Sequence, residues 1–421
     1  MENTIDIICS FLNLRESDIS SFHITEDSVF ITLRNSLSCC PFCGSKSFRS
    51  KGYYSRTVSV PNTAVSSYTV NLKVNRLQCS DCQHSFSDSK MISPGNHLYS
   101  YATINQLMQL LISPHMTFSE AARLCGMSET TAVRLFDKHV HIPRKSLPEA
   151  LCIDEVYTKN SDFDRSRFSC VFYDFYSYQI VDVVPSRWKN YLDSYLSSMS
   201  EEERNSVRFV SIDMYYTYRV LAKRYLKKAI ICADSFHVVK HLNDDLRNIR
   251  IRIMKSYDRD SIEYYLLKNF GYLLFENNDL DNKAKYNKRL GHFLNKRALL
   301  DKILAIDKDL DNGYHLKETY MRFNSDTSNP NIRKDLEDIT RMFIEANIRE
   351  YEEFISILIN WKEEIINSFS FYKGVRINSS VAESMNSLIA TLLYNTKGIR
   401  NSERRRKRIM YCINKDPFCL K

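Results

Sequence analysis

Three carboxylates carry the chemistry this sequence offers first. Asp154 closes the apolar run Leu-Cys-Ile at 151–153, Asp213 closes Phe-Val-Ser-Ile at 209–212, and Glu383 lies in the helix-like stretch Ser-Ser-Val-Ala-Glu-Ser-Met-Asn at 379–386. Acids at the ends of buried strands are poorly solvated and repel one another, so a divalent cation is their natural partner. Two strand acids and one helix acid suit a metal pair that cuts phosphodiesters. The chain has 50 acidic residues, so spacing alone leaves chance placement open. The company these acids keep decides between the two.

Four cysteines form the second constellation. Cys40-Pro-Phe-Cys43-Gly and Cys79-Ser-Asp-Cys82 are two Cys-x-x-Cys pairs. The segments between them, Thr57–Val60 and Tyr68–Val74, alternate apolar and polar side chains as strands do, with Val70, Leu72 and Val74 on one face. Two such knuckles bring four thiolates into a tetrahedron that suits Zn2+, and the metal replaces a core this segment is too small to build. The stretch from Cys43 to Cys79 leaves room for an extra hairpin, and Cys39 and His84 are substitute ligands.

Helical spacing takes over after Pro94. Ile104, Leu107, Met108 and Leu111 share one face, and Thr117 to Phe136 has the form of a helix-turn-helix. Thr117 or Ser119 caps its first helix, Gly126 makes the turn, and Ser128 caps a second helix whose Ala132, Leu135 and Phe136 face inward. Glu129, Thr130, Thr131 and Arg134 would then face the major groove of DNA.

Composition agrees with a polyanion as partner. Lys and Arg number 59 against 50 acids, a net charge of +9. Arg400, Arg404, Arg405, Arg406, Lys407 and Arg408 crowd one short segment. No apolar run approaches the ~20 residues that cross a bilayer, and Met-Glu-Asn-Thr-Ile-Asp lacks the basic start of a secretory signal. Cys152, Cys170 and Cys232 sit inside apolar strands, as reduced thiols do. These features predict a cytoplasmic protein associated with the nucleoid.

The elements that must position the acids begin at residue 150. Leu151–Val156, Arg167–Tyr173 and Tyr178–Val184 read as strands joined by short turns, followed by a helix at Tyr191–Met199. Arg208–Ile212 is a fourth strand, Tyr218–Tyr225 a helix, and Ala229–Ala233 a fifth strand ending at Asp234. This order is that of an RNase H-like domain, in which strands one and four are neighbours and Asp154 meets Asp213. Residues from about 246 to 372 are strongly helical in pattern and almost free of Gly and Pro. They read as an all-helical insertion, in which Arg247, Arg250 and Arg252 either line a DNA path or are solvated charges on a helix face. Tyr215, Tyr216 and Trp188 are expected in the core.

The chain resembles DDE transposases of the ISL-three insertion-sequence family. The matching stretches are Ile-Asp-Glu at 153–155, Ser-Ile-Asp-Met at 211–214 with Tyr218-Arg219, Asp-Ser-Phe-His at 234–237 and Glu-Ser-Met-Asn at 383–386. Gly-Ile-Arg-Asn at 398–401 and Arg408-Ile409 continue the match, and the zinc ribbon and helix-turn-helix precede them in the family's order. The resemblance implies that Asp154, Asp213 and Glu383 hold Mg2+ (or Mn2+), with Asp234 and His237 beside the site. It implies cleavage of double-stranded DNA at terminal inverted repeats, strand transfer into target DNA, and a homodimer on DNA. One departure stands out. The family helix usually carries lysines on the two turns after the glutamate, where this chain has Leu388, Ile389, Ala390 and Leu392. Lys397, Arg400, Arg404 and Arg405 are then the expected basic contacts.

The predicted architecture is multidomain α+β. A segment at 1–95 contains the zinc ribbon (core 38–85), 96–146 holds the helix-turn-helix, and 147–421 is an RNase H-like domain. That domain is a mixed five-stranded sheet interrupted by the helical insertion. Two rival readings remain at this stage: a transposase-derived DNA-binding regulator with a dead site, and an RNase H-like nuclease that cuts without strand transfer.

Overall fold

The computed structural model describes residues 6, 9–10, 12, 14–25, 29–61, 69–87, 92–93, 98–158, 167–276, 280–377 and 380–415. The chain folds as two compact units, one made of 1–144, 157–167 and 387–421, the other of 145–156 and 168–386. No helix among the described residues is long and apolar enough to cross a membrane.

The first unit begins with a five-stranded sheet. Strands β1 (Ile19–Ile24), β2 (Val29–Leu33), β3 (Phe48–Ser59) and β4 (Thr69–Cys79) lie in the order β1-β2-β4-β3, and β5 (Ser85–Ser87) also pairs with β4. The alternation anticipated around Val70 is real: Val70, Leu72 and Val74 are buried with Ile31, Leu33 and Val58. The strands run further than the alternation alone suggests, because β3 and β4 pair antiparallel from Ser59↔Thr69 to Phe48↔Cys79. That long ladder delivers Cys79 to the mouth of the cysteine cluster.

Three helices follow: α1 (Tyr101–Leu110), α2 (Phe118–Leu124) and α3 (Glu129–His139). Each starts at a hydroxyl cap, where Ser100, Thr117 and Ser128 accept the N–H groups of Thr103, Glu120 and Thr131. Gly126 takes the turn at φ +64°, a conformation other residues adopt at a cost. Ala132, Leu135 and Phe136 fill the core between the helices.

The second unit is built on the sheet β10-β9-β6-β7-β8, formed by β6 (Ala150–Tyr157), β7 (Phe168–Asp174), β8 (Ile180–Val184), β9 (Phe209–Ile212) and β10 (Ile230–Ala233). β6, β9 and β10 are parallel neighbours, and β7 and β8 pair antiparallel. This is the expected RNase H-like order. β8 and β9 are buried along their whole length, as strands covered on both faces must be. Helix α4 (Lys189–Ser197) packs on β8 and α6 (Tyr216–Tyr225) on β9, and α5 (Glu201–Ser206) and α7 (Ser235–Lys255) are the unit's other helices before the insertion.

The insertion is helical, with α8 (Ile262–Asn269), α9 (Lys296–Leu304), α10 (Lys308–Ser325), α11 (Ile332–Ala346), α12 (Glu352–Asn360) and α13 (Lys362–Asn367). Its expected start near Leu246 falls in the middle of α7, which runs unbroken from Ser235. A short hairpin, β11 (Lys285–Asn287) and β12 (His292–Leu294), interrupts the helices, and periodicity gave no sign of it. Gly313 lets α10 approach α7 closely: a Cβ there would lie 3.1 Å from Ile249 Cδ1. A second small hairpin, β13 (Phe371–Tyr372) and β14 (Val375–Arg376), leads to α14 (Ser380–Asn395), and α15 (Ser402–Asn414) ends the described chain.

Two aromatic residues depart from their expected places. Trp188 is 44% exposed and Tyr216 70% exposed, because they stand at the N-cap of α4 and the first residue of α6 rather than on buried helix faces. Of the three aromatics expected in the core, Tyr215 alone packs against it. The early arginines of the insertion are engaged within the protein: Arg247 pairs with Asp244, Arg250 donates to the Leu267 carbonyl at 2.7 Å, and Arg252 bridges Glu350 and Asp309 at 2.6 and 2.8 Å.

Candidate active site and zinc centre

Sheet register aligns the strand acids. Ile153 pairs with Ile212, and Ile212 with Ala233, so Asp154, Asp213 and Asp234 each stand one residue beyond the same rung of three adjacent parallel strands. Neighbouring strands lie ~4.8 Å apart, so a row of acids lines the carboxyl edge of the sheet, where open α/β folds bind ligands. Each acid accepts a backbone N–H with one oxygen, Asp154 within β6 and Asp213 and Asp234 just past the ends of β9 and β10. Asp154 Oδ1 accepts the Glu155 N–H at 2.7 Å, Asp213 Oδ1 that of Tyr215 at 2.7 Å, and Asp234 Oδ1 that of Phe236 at 2.9 Å. The last bond also caps α7. That cap places His237 in the first helical turn, its Nε2 3.4 Å from Asp234 Oδ2 and 4.0 Å from Asp154 Oδ1.

Glu383 comes to this group from α14. Its carboxyl is pushed above the usual range by burial and by the charge of Asp234, with His237 opposing. Asp154 and Asp213 are each pushed up to about 6, burial being the largest cause, while backbone N–H bonds and His237 pull the other way. Among the described residues, no Lys or Arg forms an ion pair with Asp154, Asp213 or Glu383. Glu383 Oε1 is buried with no hydrogen-bond partner. A crowd of acids, buried at Asp154 and Asp234 and half-buried at Asp213 and Glu383, with an orphaned oxygen fits a hard cation. The acids are more widely spread than the four cysteines, which among the described residues are the group of metal-ligating side chains within 4.8 Å of one another.

Supporting residues surround the acids. Asn386 Nδ2 donates to Asp154 Oδ2 at 2.7 Å, and the fully buried Tyr173 hydroxyl donates to Asn386 Oδ1. Asn386 lies one helical turn beyond Glu383, so the i, i+3 spacing in Glu-Ser-Met-Asn already placed it on the same face. Nothing in the sequence pointed to Tyr173. Glu155, next to Asp154, is held by Arg187 Nη1 at 2.7 and 2.8 Å, and the guanidinium lies over the rings of Phe168 and Tyr215.

The cysteine cluster is compact. Cys40 Sγ lies 3.6 Å from Cys82 Sγ, Cys43 Sγ 3.6 Å from Cys79 Sγ, and all four sulfurs are within 4.8 Å of one another. Zn–S bonds of ~2.3 Å in a tetrahedron require S···S separations of ~3.8 Å, so the cage is the right size for zinc. Gly44 at φ +75° and the bond from its N–H to the Cys40 carbonyl form the first knuckle. The Cys82 and Asp81 N–H groups pull the Cys79 thiol down to about 6. At Cys82 the His84 N–H also pulls down, but burial and the neighbouring thiols prevail and push it up to about 12. Four thiols this close need a cation before all can ionise. The substitutes Cys39 and His84 stay outside the cage.

In the first unit the expected DNA-facing residues separate into two kinds. Glu129, Thr130 and Arg134 are exposed on α3, and Thr131 is half-buried with its hydroxyl on Ser128 Oγ. A cleft of about 760 Å³ is lined by Glu129, Val133, Lys397, Arg400 and Arg404 together with Thr117 and Ser119. Lys397 and Arg400 are exposed there. Arg405 is not: it is 1% exposed and donates to the Ile399 carbonyl at 3.1 Å, which corrects its expected place on DNA. Arg404 forks onto Asp137 at 2.6 and 3.0 Å. Arg408, fully buried, donates to the carbonyls of Leu111, Ser113 and Met116. Much of the arginine cluster therefore staples α15 to the helix-turn-helix, since carbonyls left open at a helix end need donors.

Comparison with known families agrees with this layout. The ISL3 DDE family model, described as transposase, matches residues 151–409. The model for the zinc-finger of transposase IS204/IS1001/IS1096/IS1165 matches residues 36–82. No curated protein matches the chain. The first match covers more than half of the sequence and spans every acid in the row as well as Glu383, while the second encloses all four cage cysteines. The chain belongs to the ISL3 family of transposases, with a zinc ribbon at its N-terminal end.

Proposed function

We propose that this transposase binds the terminal inverted repeats of its element as a homodimer, cleaves them, and joins the freed ends to target DNA, working in the cytoplasm at the nucleoid. The observation that supports it best is the row of Asp154, Asp213 and Asp234 on one sheet edge, with Glu383 close enough to feel the charge of Asp234. Asp154, Asp213 and Glu383 would hold Mg2+ (or Mn2+). Such ions, when bound, lower the pKa of water and stabilise a leaving oxygenate.

The protein's own contribution is placement. Asn386 fixes the rotation of Asp154 through Oδ2, and the backbone N–H of Tyr215 fixes Asp213. His237 offers Nε2 to the acid edge, where it can hold or pass a proton. In the first step a water oxygen bonds to phosphorus, the P–O3′ bond breaks, and the 3′ oxygen leaves as a hydroxyl once protonated. In the second step that 3′ hydroxyl gives up its proton and its oxygen bonds to a target phosphorus at the same acids, the target's P–O3′ bond breaks, and the departing 3′ oxygen takes up a proton, giving a joined strand and a new 3′ hydroxyl. Glu129, Thr130, Thr131 and Arg134 of α3, with Lys397 and Arg400, would engage the element ends.

The test is cleavage, joining and end binding by Asp154→Asn, Asp213→Asn and Glu383→Gln proteins. Each is expected to lose both reactions and keep end binding. A Glu383→Gln protein that cuts at the normal rate, beside a dead Asp234→Asn protein, would make Asp234 the third ligand. Hydrolysed product without joined product would favour a nuclease alone.

A further inference from the structure

The hairpin β11–β12 has features the acid site does not use. Residues 282–297 contain six Lys or Arg and no Asp or Glu, although acids make up 50 of the chain's 421 residues. Tyr286 and Phe293 are cross-strand partners with ring centroids 5.2 Å apart. They are 56% and 72% exposed, so a pair of aromatic faces stands open to solvent. Lys283, Lys285 and Lys288 are exposed around them.

The tip is rigid. Asn287 Oδ1 accepts the N–H groups of Arg289 and Leu290, each at 3.1 Å, and Gly291 at φ +70° closes the turn. Arg289 clips the hairpin to the unit by donating to the Asp260 carbonyl at 2.6 Å and lying over the Tyr265 ring. Leu290 and Leu294 pack against the core. The aromatic pair is thus held out on a fixed support, which lowers the ordering cost of any interaction it makes.

We infer that this hairpin is a DNA-contacting element, with Lys283, Lys285 and Lys288 on phosphates and the Tyr286–Phe293 pair stacked on bases left unpaired beside the cut. The inference rests on the transposase reading, which supplies the DNA. A cationic surface with interleaved aromatics matches a single strand, because phosphates answer the charge and every base offers a π-face. Inside a duplex those faces are covered, so the aromatics select opened DNA. A second copy of this chain, itself at +9, is a poorer match for a cationic surface.

The experiment measures binding of the full-length protein to an element-end duplex, to the same duplex with an unpaired fork, and to a single strand, across a range of salt. Tyr286→Ser with Phe293→Ser is expected to weaken fork and single-strand binding about tenfold or more while leaving duplex binding unchanged. Changing Lys283, Lys285 and Lys288 to Gln is expected to lower the salt slope on the single strand by roughly 2, at about 0.7 for each phosphate no longer neutralised. All five side chains are exposed, so the variants should melt as the wild type does. Wild-type affinity in both variants on all three DNAs overturns the inference. So does an aromatic variant that loses duplex and fork binding equally, or one that loses self-association alone. A wild-type protein that binds none of the DNAs overturns the transposase reading itself, and this inference with it.

Discussion

Asn386 offers the sharpest test of how the acid edge is organised. Its amide joins Asp154 Oδ2, at 2.7 Å, to the hydroxyl of the buried Tyr173. A hydrogen bond to a charged group contributes ~1.5–3 kcal/mol net, and residues that orient a metal ligand are typically worth 10–100-fold in metal affinity or activity. Asn386→Ala should therefore raise the Mn2+ concentration for half-maximal end cleavage by about tenfold or more. The same change strands the Tyr173 hydroxyl in a fully buried position, which costs ~1–3 kcal/mol of stability. Tyr173→Phe keeps the bond to Asp154 and removes only the anchor behind it, so its shift should be smaller. The assay is single-turnover cleavage against Mn2+ concentration, with end binding measured in parallel. Saturating metal should restore most of the Asn386→Ala rate, which it would not do for a protein that is merely misfolded. An unchanged metal requirement, or a loss of end binding that tracks the loss of cleavage, would refute the positioning role.

Other consequences follow from the same structure. Cys40→Ser should lose zinc and unfold the ribbon while the second unit keeps its own melting transition, because the metal supplies most of the ribbon's folding free energy; a ribbon folded without metal would contradict this. Arg134→Ala should weaken end binding by about 1–3 kcal/mol and blunt selectivity for the ends if it reads a base, whereas Arg408→Ala should mainly destabilise the first unit by stranding three carbonyls; loss of selectivity with Arg408 and not Arg134 would reverse these roles. Asp245 is pushed up to about 7 by burial and then by Glu353, Asp244 and Glu350. The folded state holds its proton more tightly than the unfolded state, so stability falls as pH rises from about 4 to 7. Three units amount to ~4 kcal/mol, and partial screening roughly halves that. Asp245→Asn should thus gain ~2 kcal/mol in urea unfolding at pH 8 and almost nothing near pH 4; an equal gain at both would exclude titration as the cause.

What could be read from the sequence tracks how local each determinant is. The cysteine knuckles, the hydroxyl caps at Thr117 and Ser128, and the five strand runs depend on neighbours within a few residues, and each appears where its pattern lies. The arginine segment shows the opposite case. As a string, Arg404 to Arg408 looks like a polyanion contact, but the carbonyls of Leu111, Ser113 and Met116 that occupy Arg408 lie 297, 295 and 292 positions earlier in the chain. Tyr173, 213 positions from Asn386, was invisible for the same reason. Exposure of Trp188 and Tyr216 was hidden differently: composition marks aromatics as core, and only helix boundaries show that these two stand at helix starts.

The choice between Glu383 and Asp234 as the third metal ligand turns on what their oxygens already do. Register makes any acid one residue past the last rung converge with its neighbours, so strand position favours Asp234 as much as Asp154 and Asp213. Asp234, however, gives Oδ1 to the cap of α7 and turns Oδ2 toward His237 at 3.4 Å. Glu383 keeps Oε1 buried without a partner. A buried acceptor left open costs ~1–3 kcal/mol, a cost that folding alone gives no reason to retain and a bound cation removes. This asymmetry supports Glu383 as ligand and Asp234 as the residue that orients His237. It carries a consequence that strand position does not: Asp234→Asn, which can still cap α7, should slow cleavage by loosening the hold on His237 while leaving the metal requirement close to that of the wild type. A Glu383→Gln protein should instead fail at every metal concentration and every pH.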